Sequence, residues 1–291
     1  DMSITKIGTE MKSLFRAAVI LVLLSTVIIS QPLSTSFQVI KKPAVLSDFR
    51  AFSKAGNTIF AANYDLGVRS NVNKSTDGGL TWQMLSSAFP ASDNLNAIFF
   101  ITEQIGFVGG SNGVIYKTTD GGTNWVSVTS PSYVGGINFF HFFNATTGFV
   151  GGSADTGGNL LKTTDGGTTW AYVTNPIPTR TLYDILWLNQ AEGIVVGSGS
   201  QYMFTTDGGA TWTAGTMPGA STTLYRIRQA DANTFYVVGT AGRAYKSTDG
   251  GATFVAVTTP TTSALYSAEF YDANNGVLLG SNGIVLRTTN G

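Results

Sequence analysis

From residue 37 onward the chain alternates short apolar runs with polar, glycine-rich breaks, and the pattern returns every forty-odd residues. In one unit, residues 95–102 (Leu-Asn-Ala-Ile-Phe-Phe-Ile-Thr) form an aromatic run and 106–110 (Gly-Phe-Val-Gly-Gly) a second. A Ser-Asn-Gly turn at 111–113 leads to a third run, 114–119, and Trp125 opens a fourth, 125–128. Runs of this length between Gly, Asn, Ser and Asp clusters have the punctuation of β-strands and are too short for helices. The second run is echoed at 148–152, 193–197 and 276–280. The pattern predicts an all-β chain of four-stranded antiparallel units.

The break between third and fourth runs is the most regular stretch. It reads Thr118-Thr119-Asp120-Gly121-Gly122-Thr123-Asn124-Trp125. It recurs with Asp77 and Trp82, Asp165 and Trp170, Asp207 and Trp212, and Asp249 and Phe254, and a sixth copy reaches Asn290 and Gly291. Paired glycines permit positive φ in a tight reversal. The Asp can accept the turn's own N–H groups, the preceding Ser or Thr hydroxyl can add a local bond, and the aromatic packs beside the turn. A carboxylate beside two glycines would also suit calcium or a phosphate loop. Near-identical repetition instead marks a packing device, so these residues are read as structural, with no metal and no cofactor expected.

Successive turn Asp or Asn positions are 43, 45, 42, 42 and 41 residues apart, the period of propeller blades. Extra residues at 153–158 account for the longest step. Pro131, Pro176, Pro218 and Pro260 each follow the aromatic of a fourth run by six residues, in linkers where no ladder needs their missing N–H. Phe37 precedes Pro43 by the same six, so 37–40 reads as a fourth strand with no unit before it, while the last unit, 265–289, lacks one. The reading is a β-propeller over 37–291 with blades ending near 85, 128, 173, 215, 257 and 291. That makes six blades, closed by an N-terminal strand near 37–42. Seven is the alternative if the sequence is part of a longer chain.

The Ser/Thr-x-Asp-x-Gly-x-Thr-Trp pattern resembles the Asp-box, or bacterial neuraminidase repeat, of β-propellers. The longer unit at 106–125 resembles the photosystem II assembly/stability-factor type, and similar repeats occur in sortilin-like receptors and xyloglucanase-type glycosidases. The resemblance covers 37–291 and implies a fold more than a function, because enzymes and non-enzymes share it. It implies that the Asp-boxes lie between third and fourth strands, away from the binding face.

Two positive charges, Lys12 and Arg16, precede thirteen mostly apolar residues at 17–29. Residues 1–30 therefore read as a leader and signal peptide starting near Met11, with 31–36 a linker and an exported destination. The run is short for a membrane span, so membrane attachment would arise only through an uncleaved signal segment. The formal net charge is zero, which excludes the basic footprint of a nucleic-acid binder. With no cysteine, disulfide scaffolds and thiolate metal sites are excluded as well.

Site candidates come from the first strands, which line the centre of a propeller. Aligned by their apolar pattern, they place Asp48, Asn96, Asn138, Asp184, Arg226 and Ser267 at one equivalent position. Two residues on come Arg50, Ile98, Phe140, Leu186, Arg228 and Glu269. One account is a solvated channel mouth that tolerates polar groups. The other is a binding ring in which Arg50, Arg226 and Arg228 grip a carboxylate or an acidic peptide. His141, the only histidine, reads as packed and one residue out of phase with that ring; Trp187 reads as core between blades.

The function expected first is non-enzymatic: a protein-protein or ligand-binding scaffold, working as a monomer or as a module of a larger exported protein. Its ligand, a protein or a carbohydrate, is not identified by the sequence, and no catalytic residue is assigned. The alternative is a secreted glycoside hydrolase. Arg50, Arg226, Arg228, Glu269 and Tyr266 imitate a sialidase set, yet the Arg-Ile-Pro signature of that family is missing, because Ala51-Phe52 follows Arg50.

Overall fold

A computed structural model describes residues 47–65, 70–85, 89–90, 92–128, 135–153 and 158–291. The signal segment, the linker and the closing strand expected near 37–42 lie outside the described residues. Six antiparallel sheets follow one another along the chain, each in simple meander order; five have four strands and the last has three. Their first strands are Ser47–Ala55, Leu95–Phe100, Ile137–Phe142, Leu182–Trp187, Leu224–Gln229 and Leu265–Phe270. These pack side by side in chain order, each against the next.

The core lies between sheets. Second strands such as Gly106–Gly110 and Phe235–Gly239 are buried at every residue, so their sequences read as unbroken apolar runs. In the interface of sheets two and three, Phe107 stacks on Phe142 at 4.7 Å, with Trp170 edge-on to Phe107 at 6.2 Å. The last sheet differs. Its second strand, Gly276–Gly280, is only partly covered beyond its first residue, and Val285 on its third strand is 40% exposed.

The Asp turns show why the repeat has its residues. In the first, Asp77 accepts from the Thr81 N–H at 2.9 Å, the Thr81 hydroxyl at 2.6 Å and the Ser75 hydroxyl at 2.8 Å. Ser75 in turn accepts from the Gly79 N–H at 2.8 Å. Both glycines of each complete turn have positive φ. A second constraint is invisible in the local pattern: a Cβ on Gly167 would collide with the Phe107 ring of the preceding sheet, and one on Gly209 with Phe149. Between sheets, Lys117 donates to the Gly166 carbonyl at 2.7 Å while lying over Phe107, and Lys162 repeats this with Gly208 and Phe149. The turns are therefore also the clasps between neighbours.

Candidate functional site

Two ends of the molecule are defined by backbone hydrogen bonds. At one end, the turns from the second sheet onward dock on the connection between first and second strands, as in Gly121 N–H to Gln104 O at 2.9 Å. At the other, the turn between second and third strands bonds to the residue before the first strand, as in Ser111 N–H to Asn94 O at 3.0 Å. The candidate residues sit along the first strands that start at this second end, opposite the Asp turns.

Each first strand carries one β-bulge near its start, and the bulges correct the expected alignment. The bulged residues are Arg50, Asn96, Asn138, Tyr183, Tyr225 and Tyr266. Asp184, Arg226 and Ser267 therefore lie one residue further on, level with Ala51, Ala97 and Phe139, and not level with Asn96 and Asn138. Arg50 belongs to the bulge set and is exposed, so it does not share a register with Arg228 and Glu269. His141 does share theirs, three residues past the bulge, contrary to the out-of-phase reading. The side chain of Asp48 is outside the described residues.

The structure brings four of the expected residues together. Asp184 Oδ2 accepts from the Ile227 N–H at 3.0 Å and from Arg228 at 2.9 Å, and Arg226 lies 3.5 Å from Asp184 Oδ1. Arg228 also donates to Glu269 at 3.2 Å and to the Ile227 carbonyl at 2.7 Å. The cluster spans the first strands of sheets four, five and six. Asp184 has a second job: it caps an N–H on the open edge of its neighbour's strand, which no ladder satisfies. Ser53 does the same for the Phe100 N–H at 2.8 Å, and Asn138 donates to the Leu182 carbonyl at 2.7 Å. Asn96 is partly exposed.

Arg228 and Arg226 differ in saturation. Nearby Asp184 and Glu269 raise the Arg228 pKa further against the cost of burial. Among the described residues, the Arg226 side chain has only its 3.5 Å contact with Asp184, and its buried Nε has no hydrogen-bond partner. His141 packs 6.0 Å from the Trp187 ring and 5.1 Å from Phe143. Burial lowers its pKa to about 4 against a weaker opposing pull from Asp184, so it is neutral at pH 7. Trp187 also contacts Phe149 and Trp212, as a core residue between sheets.

Sequence reasoning named Tyr266 only within a sialidase-like set and missed Tyr183, Tyr225 and the ladder they form with it. Tyr183 and Tyr225 meet edge-to-face at 5.2 Å, and Tyr225 and Tyr266 at 5.1 Å, as a ladder across sheets four to six. The signal was present as Leu-Tyr at three first-strand starts. Tyr266 is 49% exposed. Among the described residues, no group of three His, Asp or Glu side chains could hold a metal ion, and no helix is long and apolar enough to cross a membrane.

The geometry can be set beside known structures. YCF48 bound to a D1 peptide superposes with a TM-score of 0.66 at 20% identity, over 86% of this chain and 81% of that one. The fold is a β-propeller. YCF48 from Cyanidioschyzon merolae gives 0.64 at 17% identity, over 83% of this chain and 82% of that one. The GH74 xyloglucanase from Xanthomonas campestris gives 0.69 at 14%, over 83% of this propeller but only 45% of the enzyme. This propeller thus spans about half the length of that enzyme. No protein-family model matches the sequence, and no curated protein matches it.

Proposed function

We propose that the protein is an exported, non-enzymatic propeller that binds a segment of a partner protein at the end where its first strands begin. The observation that carries this is the Asp184–Arg226–Arg228–Glu269 cluster, in which one arginine is held by protein carboxylates and the other is left short of acceptors. The Arg226 guanidinium, 37% exposed and held only by a 3.5 Å contact to Asp184, can take an acidic group of an extended segment. The peptide-bound state of YCF48 supports the same use of the fold. Export rests on the charged and apolar pattern of residues 11–30.

A glycosidase uses its carboxylates differently. It needs one protonated acid and one free carboxylate facing the sugar, or arginines free to hold a substrate carboxylate. Here Asp184 holds a backbone N–H and Arg228, and Glu269 is paired with the same Arg228. The test is affinity capture of exported proteins from the producing cell by wild type and by Arg226→Glu, with thermal melting to establish that both fold. A partner enriched by wild type and lost in Arg226→Glu is expected. Turnover of a fluorogenic β-glucoside or sialoside that disappears in Glu269→Gln would overturn the non-enzymatic reading.

A further inference from the structure

We propose that Tyr183, Tyr225 and Tyr266 form a groove for a polyproline-II segment of the partner, with Arg226 taking an acidic side chain beside it. This rests on the peptide-binding reading above and names the chemistry of the peptide. Three observations carry it.

The first is position. Each tyrosine is the bulged residue of its first strand, and a bulge re-aims a side chain away from the regular alternation of the sheet. The same position holds Arg50, Asn96 and Asn138 in the other three sheets. The aromatic groove is thus confined to sheets four to six, where the ion cluster also lies.

The second is shape. Successive rings cross at 81° and 55° with centroids 5.2 and 5.1 Å apart. Crossed rings leave notches between them and offer no continuous flat face on which a pyranose could stack. The ladder extends about 10 Å at most, and one turn of polyproline II, three residues at 3.1 Å each, covers about 9 Å. Proline rings fit such notches, and the extended backbone leaves its carbonyls free for tyrosine hydroxyls. A segment already stiff in solution also loses little entropy on docking.

The third is charge. Arg226 directly follows Tyr225, is 37% exposed and, among the described residues, its side chain has only a 3.5 Å contact with Asp184. Arg228 is engaged through Nε by Glu269 and through Nη1 by Asp184 and the Ile227 carbonyl. The more exposed and less engaged guanidinium of the cluster therefore lies next to the middle ring of the ladder.

The experiment measures binding of fluorescein-labelled Ala-Pro-Pro-Ala-Pro-Pro-Glu-Glu to the full chain by anisotropy. Matched peptides have alanine for each proline or Gln for each Glu. The proline peptide should bind at least about tenfold tighter than the alanine peptide, the loss typical of removing a central aromatic contact. Tyr225→Ala should erase that preference, while Tyr225→Phe, which keeps the ring, should retain most of it. Arg226→Gln should weaken the Glu peptide and leave the Gln peptide unchanged. Melting curves identify any variant that fails to fold, and Tyr225→Phe then carries the test. Equal binding of proline and alanine peptides, or a preference that survives Tyr225→Ala, overturns the proposal. So does binding of cellohexaose that is lost in Tyr225→Ala, which would make the ladder a sugar site. If a captured partner is lost in Arg226→Glu while the proline peptide never binds, the groove assignment falls and the peptide-binding reading stands.

Discussion

The two ends of the propeller use polar residues in opposite ways. At the Asp-turn end, the same few residues recur, the Asp and Ser or Thr side chains bond within their own turn, and the links to the neighbouring sheet repeat with them. Asp77, Asp207 and Asp249 are held at a pKa of about 2 by threonine and serine hydroxyls and backbone N–H groups. At the strand-start end, one bulge recurs at a fixed register, but its side chain changes from Arg to Asn to Tyr, and bonds reach from sheet to sheet. Repetition marks what every blade needs in order to fold. Variation at a fixed backbone position marks where a ligand could be told apart.

That contrast can be broken hardest at the Asp-turn end. Gly167 has φ +75° and no room for a Cβ against Phe107. Gly167→Val should therefore cost at least about 3 kcal/mol through backbone strain and overpacking. Urea unfolding measures it. A value within error of wild type would show that the neighbouring sheets separate easily, and the clasp between sheets would then be incidental.

A smaller effect sharpens the other end. Arg228→Ala removes the cation that Asp184 and Glu269 share, and the partly buried site should lose about 2–4 kcal/mol. Arg226→Ala removes a 3.5 Å contact of a side chain that is 37% exposed, so its effect on stability should stay below about 1 kcal/mol. Its effect should instead fall on binding. Equal destabilisation by the two would mean that Arg226 is structural and that the binding assignment is misplaced.

How far the sequence carried follows the same division. The turn, its glycine pair and the four-strand unit were legible because each is specified by neighbours a few residues away. The cluster of Asp184, Arg226, Arg228 and Glu269 was legible as a set of charges on first strands. Its register was not, because a one-residue bulge leaves the apolar pattern almost unchanged. Tyr183 and Tyr225 read as ordinary apolar strand residues and Tyr266 only as part of a sialidase-like set, so the polar residue after each was aligned with Asn96 and Asn138. Nor could the bond from Lys117 to the Gly166 carbonyl be read, since it joins residues 49 apart in different sheets.

pH separates the turns from the first strands. His141, in the first strand of sheet three, is neutral in the folded chain to about pH 4, whereas its ordinary pKa is 6.5. Below pH 6.5 the unfolded chain takes up a proton that the folded chain refuses. Stability from this source is therefore full above pH 6.5 and falls as pH drops to about 4, by up to about 3 kcal/mol. The turn aspartates act in the next window. Their folded pKa lies near 2 against 3.8, so their contribution is complete above pH 3.8 and is lost as pH falls toward 2. Being solvent-exposed, each adds little, and only their number makes the slope visible. Melting temperatures from pH 7 to pH 2 should thus fall in two stages. His141→Phe should flatten the first stage alone, and Asp77→Asn with Asp207→Asn should reduce the second alone. If either variant alters both stages, the turns and the first strands are coupled through the intervening sheets, and the division of labour between a repeated clasp and variable first strands does not hold.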